Sequence, residues 1–160
     1  MATEKLKFKL ELYATMWHRA PQVAVRIGDK TYFSGDVTET EQHPKVIEFE
    51  HEFNEGEEST LVLDRAGKTR NETVVDAEGK IIKDQLLNIK SISIDEIDLG
   101  ALVFQAVYRP QYAEEWHAQQ KMAGIEHPET FKNVTSMGHN GTWTFHFASP
   151  FYMWLLENLY

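Results

Sequence analysis

The chain has 160 residues, 42% hydrophobic and 26% charged, with a formal charge of −9 and no cysteine. That length provides for one ordinary domain around one core, residues 1–160 together, and the missing cysteine excludes a disulfide framework, a zinc–thiolate site and a thiol nucleophile at once. Sixteen Lys and Arg scattered among twenty-five Asp and Glu argue against nucleic acid as a partner, because phosphate contacts call for concentrated cations; an acidic surface favours solubility and gathers cations such as calcium.

The opening "MATEKLKFKLELYATMW" alternates charged with apolar residues. It predicts a half-buried strand with Leu6, Phe8, Leu10 and Leu12 on one face and Lys5, Lys7, Lys9 and Glu11 on the other. It lacks the unbroken apolar stretch of a signal peptide, so export by the general secretory route is not expected. Next, "QVAVRI" and "TYFSGDVTE" flank Gly28-Asp29-Lys30, the chemistry of a tight hairpin.

"KVIEFEHEF" alternates again, with Ile47, Phe49, His51 and Phe53 opposite Glu48, Glu50 and Glu52. Carboxylates two positions apart on a strand stand about 6.6 Å from one another, too far for all three to hold one ion, so a solvated face is expected. That separation also falls in the range of about 5 to 9.5 Å used for glycoside hydrolysis, but nothing nearby supplies the apolar pocket that would raise one pKa. "NEGEE" and "DAEGK" then mark turns around "STLVLDRAG", "IIKD" and "LLNIKSISIDEIDLG". Short strands separated by turns, without helical period, predict an all-β antiparallel sandwich of jelly-roll-like kind.

From "ALVFQAVYRPQY", read as a strand ending at Pro110, the texture changes. Residues 113–136 form a long polar loop with a helical turn near Ala113 to Gln120. Asn140-Gly141 is a hairpin signal, followed by "TWTFHF" with Trp143, Phe145 and Phe147 on one face. Ser149 and Pro150 suit an N-cap and first helical position, and Phe151, Trp154, Leu155, Asn158 and Leu159 then line one side of a short C-terminal helix. Glu157 and Asn158 interrupt this run, and a membrane span needs about 20 apolar residues, so no membrane crossing is expected here.

The stretches "PQVAVRIGDKTYFSG", "VIEFEHEFNEGEESTLVL" and "DQLLNIKSISIDEI" resemble small carbohydrate-binding-module sandwiches of the calcium-dependent xylan-binding kind, Asp84 to Ile94 fitting their Asp followed by an alternating strand. The resemblance implies carbohydrate as ligand and calcium as the one cofactor to consider, with Asp76, Glu78 and Asp84 as metal candidates; an ordinary turn with these carboxylates in solvent needs no ion. The tail "GHNGTWTFHFASPFYMWLLENLY" is similar to small uncharacterised proteins of tailed phages. That likeness implies a virion component, such as capsid decoration or a tail or neck part, found in the virion or the host cytoplasm and working by protein contacts.

No G-x-S-x-G, H-E-x-x-H or phosphate-loop signature is present. The histidines at 18, 43, 51, 117, 127, 139 and 146 lack paired metal spacing, although His139 and His146 could meet His117 or His127 from the long loop. Trp17, Tyr108, Tyr112 and Trp116 set rings in polar surroundings, where they stack on sugars or partner side chains, or pack their loop onto the core. The expectation is a non-catalytic binding protein, with a glycan-acting hydrolase as the reading from another class. Surplus apolar surface on the tail helix points to self-association or a protein partner through Phe151, Trp154, Leu155 and Leu159.

Overall fold

The longest alternating stretch forms the longest strand, Thr3–Thr15 (β1), whose Leu6, Phe8, Leu10 and Leu12 are all fully buried. The computed structural model describes residues 2–15, 19–67, 74–78, 81–112, 114–126 and 129–158. In it β1 lies between Lys45–Asn54 (β4) and Leu86–Ile94 (β8) in an antiparallel sheet that is completed by Ser136–Met137 (β11) and Ile97–Asp98 (β9), both paired to β8. A second antiparallel sheet runs in the order Val107–Pro110 (β10), Gly141–Ala148 (β12), Glu58–Ala66 (β5), Gln22–Ile27 (β2) and Lys30–Asp36 (β3). A small ladder of Val74–Val75 (β6) with Ile81–Lys83 (β7) stands apart from both. The architecture is the expected antiparallel β-sandwich, and Gly28, at φ 55°, turns β2 into β3 as its sequence requires.

Register explains the charged strands. Pairing β1 with β4 sets Lys5 opposite Glu52, Lys7 opposite Glu50 and Lys9 opposite Glu48, so the glutamate row faces a lysine row across the outer surface. The Lys5 ammonium lies 3.1 Å from the Glu50 carboxylate. Opposite charges across a ladder are worth only a few tenths of a kcal/mol each, roughly 0.2–1, but a slip by one residue would turn Leu6, Phe8 and Leu10 to water.

In β8 the inward residues are Leu87 and Ile89, then Ile92 and Ile94, a change of parity that a regular strand cannot accommodate. Leu12 pairs with Ile89 and Glu11 with Ser91, so Lys90 is the extra residue of a β-bulge. Between the sheets Phe8, Phe53 and Phe147 meet at ring separations of 5.4 to 6.2 Å, and Trp143, Phe145 and Phe147 of β12 are all buried in one continuous core. Losing such a ring to alanine costs about 3–5 kcal/mol.

Four local expectations change. The stretch from Ala101, read as the start of a strand ending at Pro110, opens instead within a 3₁₀ helix, Gly100–Gln105, that buries Leu102 and Val103, since an apolar run of that length carries no strict alternation. The helical turn in the long loop is a helix, Glu114–Met122 (α1). Asn140-Gly141 is not a hairpin: β11 belongs to the first sheet and β12 to the second, so the chain crosses between layers there. The tail helix, Phe151–Asn158 (α2), is capped not by Ser149 but by Glu4, whose carboxylate accepts the Phe151 N–H and the Ser149 hydroxyl, both at 2.9 Å.

Candidate functional site at one end of the sandwich

The registers Gln22↔Ala66, Arg65↔Gly141 and Gly141↔Pro110 bring the start of β2, the end of β5, the start of β12 and the end of β10 to one end of the second sheet. The start of β8 lies at the same end, because the Arg65 guanidinium reaches across to the Gln85 carbonyl at 2.9 Å. Loops gathered at the end of a sandwich have no regular ladder to maintain and carry variable side chains on a rigid base.

Beneath this end lies a buried polar bed. Arg65 follows Leu61 and Leu63 on the inward row of β5, so alternation drives its guanidinium inside, where it is 2% exposed. Besides Gln85 it donates to the Asn140 side-chain oxygen at 2.7 Å. Gln85 is itself fully buried; its amide N–H donates to the Arg19 carbonyl at 2.9 Å, while its Oε1 has no hydrogen-bond partner among the described residues. A buried acceptor left unpaired costs about 1–3 kcal/mol.

Three rings stand over this bed. Continuing the β10–β12 register past Pro110↔Gly141 sets Tyr112 opposite His139, and the Gln111 N–H donates to the Asn140 carbonyl at 2.6 Å, which holds the two segments together. His139 meets the Tyr112 ring edge-on at 5.1 Å, and His117, from α1, lies at 5.1 Å as well. All three are half-buried, and burial holds the Tyr112 phenol above its ordinary value. His146, at the far end of β12, is exposed and separate from them. The arrangement offers apolar ring surface beside imidazole and amide hydrogen-bonding groups.

Tyr108 does not belong to the surface. It pairs with Trp143 and shares its inward direction, so it is buried; its hydroxyl donates to the His139 carbonyl, and burial pushes its phenol up to about 12. Trp17 lies outside the described residues; Trp116 is on α1, and its side chain is not among those described.

Asp76, Glu78 and Asp84 do not converge. Asp76 accepts the Glu78 N–H at 2.9 Å in a local turn, and Asp84 accepts the Gln85 N–H at 2.8 Å. Among the described residues no three His, Asp or Glu side chains are placed together to hold a metal, whereas calcium takes six to eight oxygens. On α2, Phe151 and Leu155 are buried in the chain's own core and Trp154 meets Phe145 edge-on at 5.6 Å; Leu159 is outside the described residues. This stripe is spent on the sandwich, so any contact through α2 falls to its other side.

No protein-family model and no curated protein matches the chain. In fold it is similar to a carbohydrate-binding module. The solved structures include vCBM60 in complex with galactobiose, at 12% identity and a TM-score of 0.47 over 87% of this chain and 96% of that one. The selenomethionine form of vCBM60, described with two circularly permuted families of calcium-dependent carbohydrate-binding modules, is similar at 10% identity and a TM-score of 0.49 over 88% and 89%.

The meeting of Tyr112 with His139 had no signal in the sequence, because it depends on β10 pairing with β12 across the whole of the long loop. The legible part was the meeting of His139 with His117 from the long loop, which the structure brings about through the Tyr112 ring between them, while His146 stays apart.

Proposed function

We propose that this protein is a non-catalytic binding protein whose ligand is a carbohydrate, held at the sandwich end that carries Tyr112, His117 and His139. The observation that supports it is the convergence of these half-buried rings over the Arg65–Gln85–Asn140 bed. A sugar presents an apolar face and a rim of hydroxyls, and a tyrosine ring beside imidazoles answers both.

A glycan array followed by affinity electrophoresis in soluble xylan tests this. Retardation of the full chain that is lost in Tyr112→Ala, with the fold unchanged by circular dichroism, is the expected result. Equal retardation of the variant would remove the site, and reproducible turnover of a polysaccharide would overturn the non-catalytic reading.

A second reading, a phage virion component acting through protein contacts, draws support from the tail's likeness to phage proteins and from the exposure of Tyr152, Met153 and Leu156 on α2. Binding to purified virion proteins with no response on the glycan array would favour it.

A further inference from the structure

The outer side of α2 carries a ridge that the sandwich does not use. Tyr152, Met153 and Leu156 are 47%, 60% and 61% exposed, three large apolar side chains within five positions of one short helix. Among the described residues the long loop does not cover them: its returning part packs Phe131 against Tyr108, and its Val134 carbonyl accepts the Trp143 indole N–H at 3.2 Å, on the body of the sandwich. Beside the ridge an open groove of about 490 Å³ is lined by Ala2, Glu55, Gly56, Pro150 and Met153. α2 follows the last residue of β12, so ridge and groove lie at the end of the sandwich opposite Tyr112.

The rim of this surface is acidic. Asp95 and Glu96 form the two-residue turn between β8 and β9, both at positive φ. The Tyr152 hydroxyl donates to Asp95 at 3.3 Å, and Asp95 is anchored in turn by the Lys7 N–H at 2.8 Å. Glu4 sits at the first turn of α2 and Glu55 in the groove. Burial, then the carboxylates of Asp95, Glu4 and Glu96, hold the Tyr152 phenol above its ordinary value.

This charge pattern selects the occupant. A second copy meeting the ridge about a two-fold axis would set the same carboxylates against themselves, in a chain already at −9. We propose that the Tyr152–Met153–Leu156 ridge and its groove dock a basic segment of another protein, one that offers apolar side chains to the ridge and Lys or Arg to Glu4, Glu55, Asp95 and Glu96. The inference concerns the end away from the proposed glycan surface and stands without it; it sharpens the protein-contact reading by naming the partner's chemistry.

The probe is a short synthetic amphipathic peptide of leucine and lysine, with a glutamate-for-lysine analogue as control, titrated into the ¹⁵N-labelled full chain. Amide shifts confined to residues 55–56, 95–96 and 151–157 are expected, with affinity falling about tenfold between roughly 50 and roughly 300 mM salt. The Tyr152→Ser/Met153→Ser/Leu156→Ser variant keeps net charge and every buried residue of α2, and should bind about tenfold or more weakly. Leu156→Ser alone and Glu96→Gln alone, both at exposed positions, should each weaken binding as well. Undiminished binding by the triple variant would overturn the proposal, since it would reduce the attraction to overall charge; equal binding of the acidic analogue would overturn it too. A concentration-dependent dimer dispersed by Leu156→Glu would overturn the basic partner in favour of a second copy, while leaving the contact reading in place.

Discussion

Single side chains close the open flank of the sandwich. β3 and β4 are edge strands of different sheets, and the Tyr32 hydroxyl lies 2.5 Å from His51 Nδ1 across the gap between them. Tyr32 stacks on Phe49 at 4.4 Å, and Phe49 on the core residue Phe8 at 5.0 Å. Burial, then the Lys30 ammonium, hold the His51 imidazole below its ordinary 6.5, against the opposing pull of Glu57. A depressed folded pKa means that the unfolded chain binds the extra proton more readily. His51 therefore contributes stability that is complete above about pH 6.5 and is lost as pH falls through the lowered folded value. The melting temperature of the wild type should drop over that interval more steeply than that of His51→Gln; parallel curves would show that His51 carries no such linkage. At the same scale, millimolar calcium is expected to leave the melting temperature unchanged, since Asp76, Glu78 and Asp84 form no metal-holding group among the described residues. A rise abolished by Asp84→Ala would contradict this, because an ion that binds only the folded chain stabilises it by mass action.

At the scale of elements, the join between β10 and β12 positions the proposed glycan surface, and Gly141 makes that join possible. A Cβ at Gly141 would stand 2.9 Å from the Pro110 Cα and closer still to the Arg109 carbonyl oxygen, both of them backbone that cannot turn aside. Gly141→Ala should cost about 1–3 kcal/mol, the usual range for overpacking, and should move the Tyr112 and His139 amide resonances apart from any general loss of fold. Unchanged stability and unchanged spectra would show that the strands have room to part. Asn140-Gly141 reads locally as a turn, yet the glycine is there for close strand approach, a role that only the neighbouring strand reveals. The spacing of three between Ile89 and Ile92 was likewise visible in the sequence, but became a bulge only once β1 supplied the register.

Across the whole molecule, α2 is a plug for one end of the core as well as the bearer of an exposed ridge. Removing residues 150–160 would uncover Phe145 and Phe147 and discard Phe151 and Leu155, each of which contributes about 1.5–3 kcal/mol by burial. A domain holds only about 5–15 kcal/mol in total, so the truncated chain should melt at least ten degrees or so lower, or fail to fold. A truncated chain with an undiminished cooperative melt would show that the helix is an appendage. The two proposed surfaces lie at opposite ends, so Tyr112→Ala and the serine variant of the ridge should each leave the other's binding intact.

The sequence alone determined the class of the fold. Alternation in β1, β4 and β12 assigns inward and outward faces wherever a strand has one buried side, because the pleat repeats every two residues whatever the neighbours are. It also marked the hairpin at Gly28 and the short tail helix. Only the tertiary structure decided which strands pair, and from that came the lysine–glutamate ladder, the crossing at Gly141, the Glu4 cap on α2 and the burial of Tyr108. Strand pairing joins residues far apart in the chain through backbone hydrogen bonds that nearly every residue can make, so the local pattern does not name the partner. Tyr112, His117 and His139 were each conspicuous as residues; their meeting is a property of the β10–β12 register.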